Sequence, residues 1–307
     1  MSETPPQGRR NRGWTYREQL GPRAAGRRVI DYLAASRTHS PADVWAARLA
    51  RGEVEIDGAR AAADAVLRAG HTLVWHRPPW VEPDVPLHFD VLHEDEAVLA
   101  VAKPRGLPTM PAGGFLDHTL MTLVQARYPG AHPLHRLGRH TSGIVLFART
   151  PDAAAALGRA WRAQEVTKAY RALASGVIAA DRFDIDTPIG PVPHPRLGHV
   201  QAASPSGRPA HSHVSVLERR AATTLARVHI TTGRPHQIRI HLATAGHPLA
   251  GDPLYDAGGR PRDDDPALPG EGGYLLHAEH LAFAHPRTHA PIAVHAPPPP
   301  DLRAATE

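Results

Sequence analysis

The stretch TTLARVHITTG (223–233) constrains the fold more than any other. Ala226, Val228 and Ile230 fall on one side of an extended chain, and Arg227 and His229 on the other. Successive side chains of a strand point to opposite faces. One face of this strand is therefore buried and the other wet, which favours antiparallel pairing over a parallel sheet covered on both sides. Other segments supply more strands: AVLAVAKP (97–104), GIVLFART (143–150) and KAYRALASG (168–176). Helical patterns lie between and after them, in TLMTLVQARY (119–128), AAAALGRAWRAQ (153–164) and HQIRIHLATAG (236–246), the last closing at Gly246. Strands and helices mixed in this way predict an α+β domain over 87–299, with a mostly antiparallel central sheet and flanking helices, followed by a short tail, 300–307. A chain of 307 residues has room for a second unit.

That unit is expected at 29–77. VIDYLAAS places Val29, Ile30, Leu33 and Ala34 on one helical face. A second helix is expected to open with Ser40 as N-cap and Pro41 at its first position, and to stop at Gly52. VEIDG then reads as a short strand with Asp57-Gly58 as a hairpin turn, and AGHTLVWH follows as another short strand. Two helices followed by a hairpin, with L-A-x-G-x-V-x-I-D-G, resemble the small RNA-binding module first described in a ribosomal protein of the small subunit, here called S-four-like. The Pro-rich stretch 78–86 reads as a linker.

Charge is concentrated ahead of this unit. Residues 1–28 hold seven arginines against Glu3 and Glu18, an excess equal to the chain's whole net charge of +5. Pro, Gly and Arg without an apolar period predict a disordered leader suited to RNA phosphates. No run of apolar residues approaches a membrane span, and no secretory signal opens the chain, so a cytoplasmic protein is expected. Cysteine is absent, which excludes thiolate nucleophiles, disulfides and cysteine-ligated metals.

Polar residues stand where core elements would prefer apolar ones in AKPRGLPTMPAGG (102–114), LHRLGRHTSGIVLFA (134–148), VTKAYRALASG (166–176), TTGRPHQIRIHLATAGHPLAGDPLYD (231–256) and LLHAEHLAFAHP (275–286). In this order they resemble the RluA-type RNA pseudouridine synthases over about 200 residues. That family's pattern is HRLDxxTSG, K-x-Y-x-A, TGRxHQIRxHxxxxGxPxxGDxxY and LHAxxLxFxHP. The resemblance implies isomerisation of uridine in structured RNA, ribosomal RNA in preference to transfer RNA. The N1–C1′ bond breaks, the base rotates and is rejoined through C5, with no cofactor and no metal. It also implies a catalytic role for position 138, for Tyr170, which packs on the base, and for Arg239, which orients a carboxylate through paired hydrogen bonds. Lys103, Arg136, His140, Thr141, Lys168, Arg234 and His236 are the expected substrate-binding residues. RNA is the expected partner, a membrane is not, and the protein is expected to be a monomer.

The chain departs from the pattern at one place. Gly138 stands where the family has its aspartate, His140 replaces a second frequent acid, and 131–150 contains no carboxylate. Arg239 is thus expected to lose a counter-charge, with Asp117, Glu165, Asp252 or an RNA phosphate as candidates to replace it. His140, two residues on in an extended segment, would share a face with position 138 and offer a base near neutral pH. The alternative to a working enzyme is an RNA-binding relative without catalysis. A His-rich metal hydrolase is a remoter alternative: there are 22 histidines, but His236 and His241 are five apart rather than the four of a helical zinc pair.

Overall fold

The computed structural model describes residues 9–37, 39–262 and 269–307. The chain divides into two compact units, Met1–Asp84 and Val85–Glu307.

The first unit contains β1 (Trp14–Gln19), α1 (Val29–Ser36), α2 (Ala42–Ala50), β2 (Val54–Ile56), β3 (Ala59–Arg60) and β4 (Thr72–Arg77). Its sheet runs in the order β1-β4-β2-β3. Val29 and Leu33 of α1 and Trp45 and Leu49 of α2 close over Val54, Leu73 and Trp75. The hairpin turns at Asp57 and Gly58, both with positive φ (49° and 82°), the combination that matches the twist of the flanking strands. The helix at 42 is capped differently from expectation. Pro41 is the N-cap and no side chain caps the helix; the Ser40 hydroxyl accepts from Arg48 instead.

The leader and the linker both differ from their sequence reading. From Trp14 to Gln19 the leader is an edge strand paired with β4 along its whole length, and Leu20 and Ala24 are buried. A strand of mostly exposed polar residues carries no apolar period, and its order comes from the ladder. Residues 1–8 lie outside the described residues. Beyond β4, Asn11 donates 2.6 Å to the fully buried carboxylate of Glu82, and its backbone N–H donates to the Trp80 carbonyl. Part of the Pro-rich stretch is thereby bound into the first unit.

The second unit contains β5 (Asp90–Glu94), β6 (Val98–Lys103), α3 (Leu120–Arg127), β7 (His132–Pro133), β8 (Ser142–Ala148), α4 (Pro151–Arg162), β9 (Thr167–Ser175), β10 (Arg182–Ile185), β11 (Ile189–His194), β12 (Gly198–Ala203), β13 (Ser212–Arg219), β14 (Thr223–Ile230), α5 (Gln237–Thr244), β15 (Tyr255–Asp256), β16 (Arg260–Pro261), β17 (Leu276–Ala284) and β18 (Pro291–His295). The main sheet runs β10-β13-β14-β9-β17-β8-β6-β5, with β18 on β17 and β7 on β8. Every pairing is antiparallel except β17 with β8. In β14, Ala226, Val228 and Ile230 are buried, while His229 is exposed. The residues 300–307 are packed rather than loose: Leu302 is buried, and Glu307 pairs with the Arg171 guanidinium.

The parallel β8–β17 contact depends on Gly143. Its φ is +107°, and a Cβ there would lie 2.2 Å from the Ala278 carbonyl oxygen, inside any tolerable contact. Only glycine lets the two backbones meet there. α3 and α4 begin where Thr119 and Thr150 accept from the backbone N–H three residues on, each at 3.2 Å. Among the described residues no helix is long and apolar enough to cross a membrane.

Candidate active site

The segment leading into β8 is held rigidly. Thr109 Oγ1 donates to the Leu137 carbonyl (2.9 Å) and accepts from its N–H (3.2 Å). Lys103 Nζ donates to the carbonyls of Pro104, Leu107 and Arg139 at 2.7–3.0 Å. Lys103 is 1% exposed, and burial draws its pKa down to about 7. The ammonium thus acts as a backbone clasp beneath residues 137–139. Between the two clasps the chain turns, with Thr141 N–H donating to the Gly138 carbonyl at 3.0 Å. Gly138 is exposed at that turn.

The turn corrects the expectation for His140, because the segment is not extended and the two-residue alternation does not apply. His140 Nε2 accepts from Arg139 Nε at 3.0 Å. Burial pulls its pKa down to about 4, with Arg139, Arg105, Lys103 and Arg239 acting in the same direction. The imidazole is neutral at physiological pH and is a weak base.

α5 brings up the opposite wall. The Gln237 carboxamide bonds Thr232, the Arg234 N–H, the His211 carbonyl and Ser212, fixing the helix start. Residues 237–243 are all buried, so this helix is covered on every side. Arg239 is 2% exposed. Its Nε and Nη2 donate to the two oxygens of Asp252, each at 2.7 Å. Asp252 also accepts from the N–H groups of Leu254 and Tyr255. Asp252 is therefore the counter-charge; Asp117 and Glu165 are not in that pair. The guanidinium lies between two rings, 4.2 Å from the Tyr274 centroid and 5.0 Å from that of Tyr255. Its third nitrogen, Nη1, is buried without a hydrogen-bond partner.

Tyr170, on β9, is half-buried and packs against two apolar clusters, one that includes Ile238 and Tyr274 and one that includes Leu137. Burial pushes its phenol up to about 12, so it is protonated. His236 has left-handed backbone (φ 58°), and its Nδ1 bonds Tyr255 Oη at 2.8 Å. Burial, with Arg239 and Arg136 adding to it, holds its pKa near 3.

Gly138, His140 and Thr141, from the turn ahead of β8, and His236 and Arg239, from the start of α5, are thus brought to Tyr274 and Tyr255, and Tyr170 of β9 packs against the cluster that holds Tyr274. Arg136 is exposed and near enough to His236 to depress its protonation. Arg234 is half-buried with Nε on the Pro209 carbonyl (3.0 Å). Lys168 is 5% exposed and sits 5.4 Å from the Trp161 ring, a packed position rather than an open one. His241 is spent on Ser212 and the Thr187 carbonyl, and among the described residues no cluster of three or more His, Asp or Glu is placed to hold a metal.

Sequence reasoning missed Tyr274 and Arg105. The Arg105 guanidinium donates to the Tyr274 carbonyl at 2.8 Å. The Thr141 and Tyr274 hydroxyls lie 3.4 Å apart. A Cβ on Gly138 would lie 3.0 Å from Tyr274 Oη. The available signal was an aromatic after two glycines, Gly272-Gly273-Tyr274, directly ahead of the LLHA stretch.

The fold and this convergence define a class, and comparison with known proteins agrees. Residues 97–244 match the family model described as RNA pseudouridylate synthase. An uncharacterised RNA pseudouridine synthase of Synechocystis is 42% identical over 89% of this chain and 95% of its own length. The chain belongs to the RluA-type RNA pseudouridine synthase family. The ribosomal large subunit pseudouridine synthase D of Neisseria meningitidis is 39% identical over 71% of this chain and 60% of its own. Among solved structures, human RNA pseudouridylate synthase domain containing 1 aligns with a TM-score of 0.57 and 26% identity, over 73% of this chain and 89% of that one.

Proposed function

We propose that the chain isomerises uridine to pseudouridine in ribosomal RNA, without metal or cofactor, as a cytoplasmic monomer, and that Gly138 at the family's aspartate position has not silenced it. The observation that carries this reading is the Arg239 guanidinium, locked by Asp252 yet keeping one buried nitrogen unpaired, against the Tyr274 ring that faces the exposed Gly138 turn. An unpaired buried donor is costly in a site with no ligand to use it, and a flipped uridine offers carbonyl acceptors. The target base must leave its stack to reach such a site. Tyr170, protonated, packs on the base and gives it a wall to turn against. Lys103 and Thr141 hold the turn, while Arg136, Arg234, His140 and His236 line the approach. Lys168 supports the strand that carries Tyr170. A ribosomal substrate draws support from the Neisseria relative, whose name states that substrate.

The first unit holds RNA in this reading, as an S-four-like module extended by β1. Trp14 and Tyr16 are 46% and 39% exposed, and cations interleave with the rings. Arg12 lies over Trp14, and Arg77 stands 3.4 Å from the Trp80 centroid. Rings among arginines suit stacked, unpaired bases.

A second reading, an RNA-binding relative without catalysis, is favoured by the absence of a carboxylate at Gly138 and by the full commitment of Asp252. A pseudouridine map of total RNA from cells with and without the protein separates the two. Loss of a discrete mark supports the enzyme. An unchanged map with tight RNA binding supports the second reading.

A further inference from the structure

The Gly138 turn opens onto the hydroxyl of Tyr274. A Cβ at 138 would lie 3.0 Å from Tyr274 Oη and 3.5 Å from Thr141 Oγ1. The side chain of an aspartate there would therefore start within 3.0 Å of the phenol oxygen. Glycine at 138 and tyrosine at 274 fit one another, and a larger residue at 138 would force the ring tip aside.

The phenol is held as a functional group is held. Its ring rests on the Arg239 guanidinium, 4.2 Å from atom to centroid. Its carbonyl is fixed by Arg105. Its chain segment crosses the Asp252 turn at two glycines. A Cβ on Gly251 would meet the Gly273 carbonyl oxygen at 2.7 Å, and one on Gly273 would meet that of Gly251 at 2.3 Å. This backbone crossing brings Tyr274 and the Asp252 that grips Arg239 to the same place. Tyr274 is 3% exposed; its Oη lies 3.4 Å from the Thr141 hydroxyl and faces Gly138, an exposed residue with no side chain.

We propose that Tyr274 is the catalytic residue that stands in for the missing aspartate. The proposal rests on the pseudouridine synthase reading above. Tyr274 Oη attacks C1′ of the flipped uridine; the Oη–C1′ bond forms as N1–C1′ breaks, and the N1–C1′ electron pair leaves on N1 of the uracil. The phenol proton passes to that uracil. After the base turns, C5 bonds to C1′ and the Oη–C1′ pair returns to oxygen. The C5 proton then restores the phenol. The product carries one proton more on N1 and one fewer on C5, and the enzyme is unchanged. The guanidinium beneath the ring stabilises the negative charge that passes through the phenol oxygen.

The test is a single-turnover assay with purified full-length protein and total ribosomal RNA from cells lacking it, read as pseudouridine formed with time. Tyr274→Phe removes only the hydroxyl. It is expected to slow conversion by about a hundredfold or more, with RNA affinity and melting temperature as in the unaltered protein. Gly138→Asp added to that variant is expected to restore conversion, because a carboxylate then fills the space the hydroxyl has left; a phenol with only a structural role would give no such rescue. An active unaltered protein whose Tyr274→Phe variant converts at a similar rate overturns the proposal alone, as does failure of the rescue. An unaltered protein that forms no pseudouridine overturns the activity reading, and this proposal with it.

Discussion

Arg239 and Asp252 form a buried, two-point ion pair whose members are 2% and 0% exposed at the side chain. Such a pair contributes little beyond an apolar equivalent, but breaking it strands a charge at a cost of about 3–5 kcal/mol. Asp252→Asn keeps the shape and removes the charge. It is expected to lower unfolding free energy by about 3 kcal/mol in urea titrations, and a change below about 1 kcal/mol would contradict the pairing. The sequence showed Arg239 and Asp252 as separate motif letters, with Asp252 one of several candidate partners. What could not be read was the choice among them, because it depends on how the loop after α5 folds back over the helix. His140 shows the opposite failure. Its residue type suggested a base, but burial among four cations draws its affinity for protons down, and burial by distant segments leaves no local trace.

Among the elements, β14 and α4 were legible because one buried face sets their periodicity, and β6 and β8 were legible as short apolar runs buried on both faces, whereas β17, nine residues long, was not read as a strand. β14 alternates as read, and α4 begins at a Pro preceded by a capping Thr. β1 was not legible: its six residues have five exposed positions, and only the β4 ladder orders them. The β8–β17 contact was partly legible, as a Thr-Ser-Gly whose glycine had no stated purpose. The purpose is the backbone approach at Ala278. Gly143→Ala is expected to destabilise the second unit by more than about 3 kcal/mol, since it combines a positive φ with a collision against backbone that cannot yield. Urea unfolding followed by tryptophan fluorescence measures it, and a loss below about 1 kcal/mol would show that the two strands can separate at no great cost.

For the whole molecule, several buried groups set a common acid response. His236 and His135 have pKa values near 3 when folded, both chiefly from burial, against 6.5 when unfolded. Between those values the unfolded chain binds more protons, so stability falls as pH drops from 6.5 toward 3. Glu279 is held at about 2 against a burial penalty by hydrogen bonds from Arg227 and Arg171. Its contribution is present above 4.5 and is lost as pH falls through about 2. Lys103, at about 7 instead of 10.5, acts on the alkaline side, where stability rises from pH 7 toward 10. The urea midpoint is expected to decline steadily from pH 7 to pH 5, and a flat profile there would contradict the histidine burial.

The chain has two lysines, Lys103 and Lys168, and they are 1% and 5% exposed. Amine-directed acetylation, ubiquitin transfer or chemical cross-linking therefore finds no open side chain among the described residues of the folded protein. Each label that does attach to a lysine records an opening of the second unit, so the rate of labelling would serve as a clock for its excursions out of the native state.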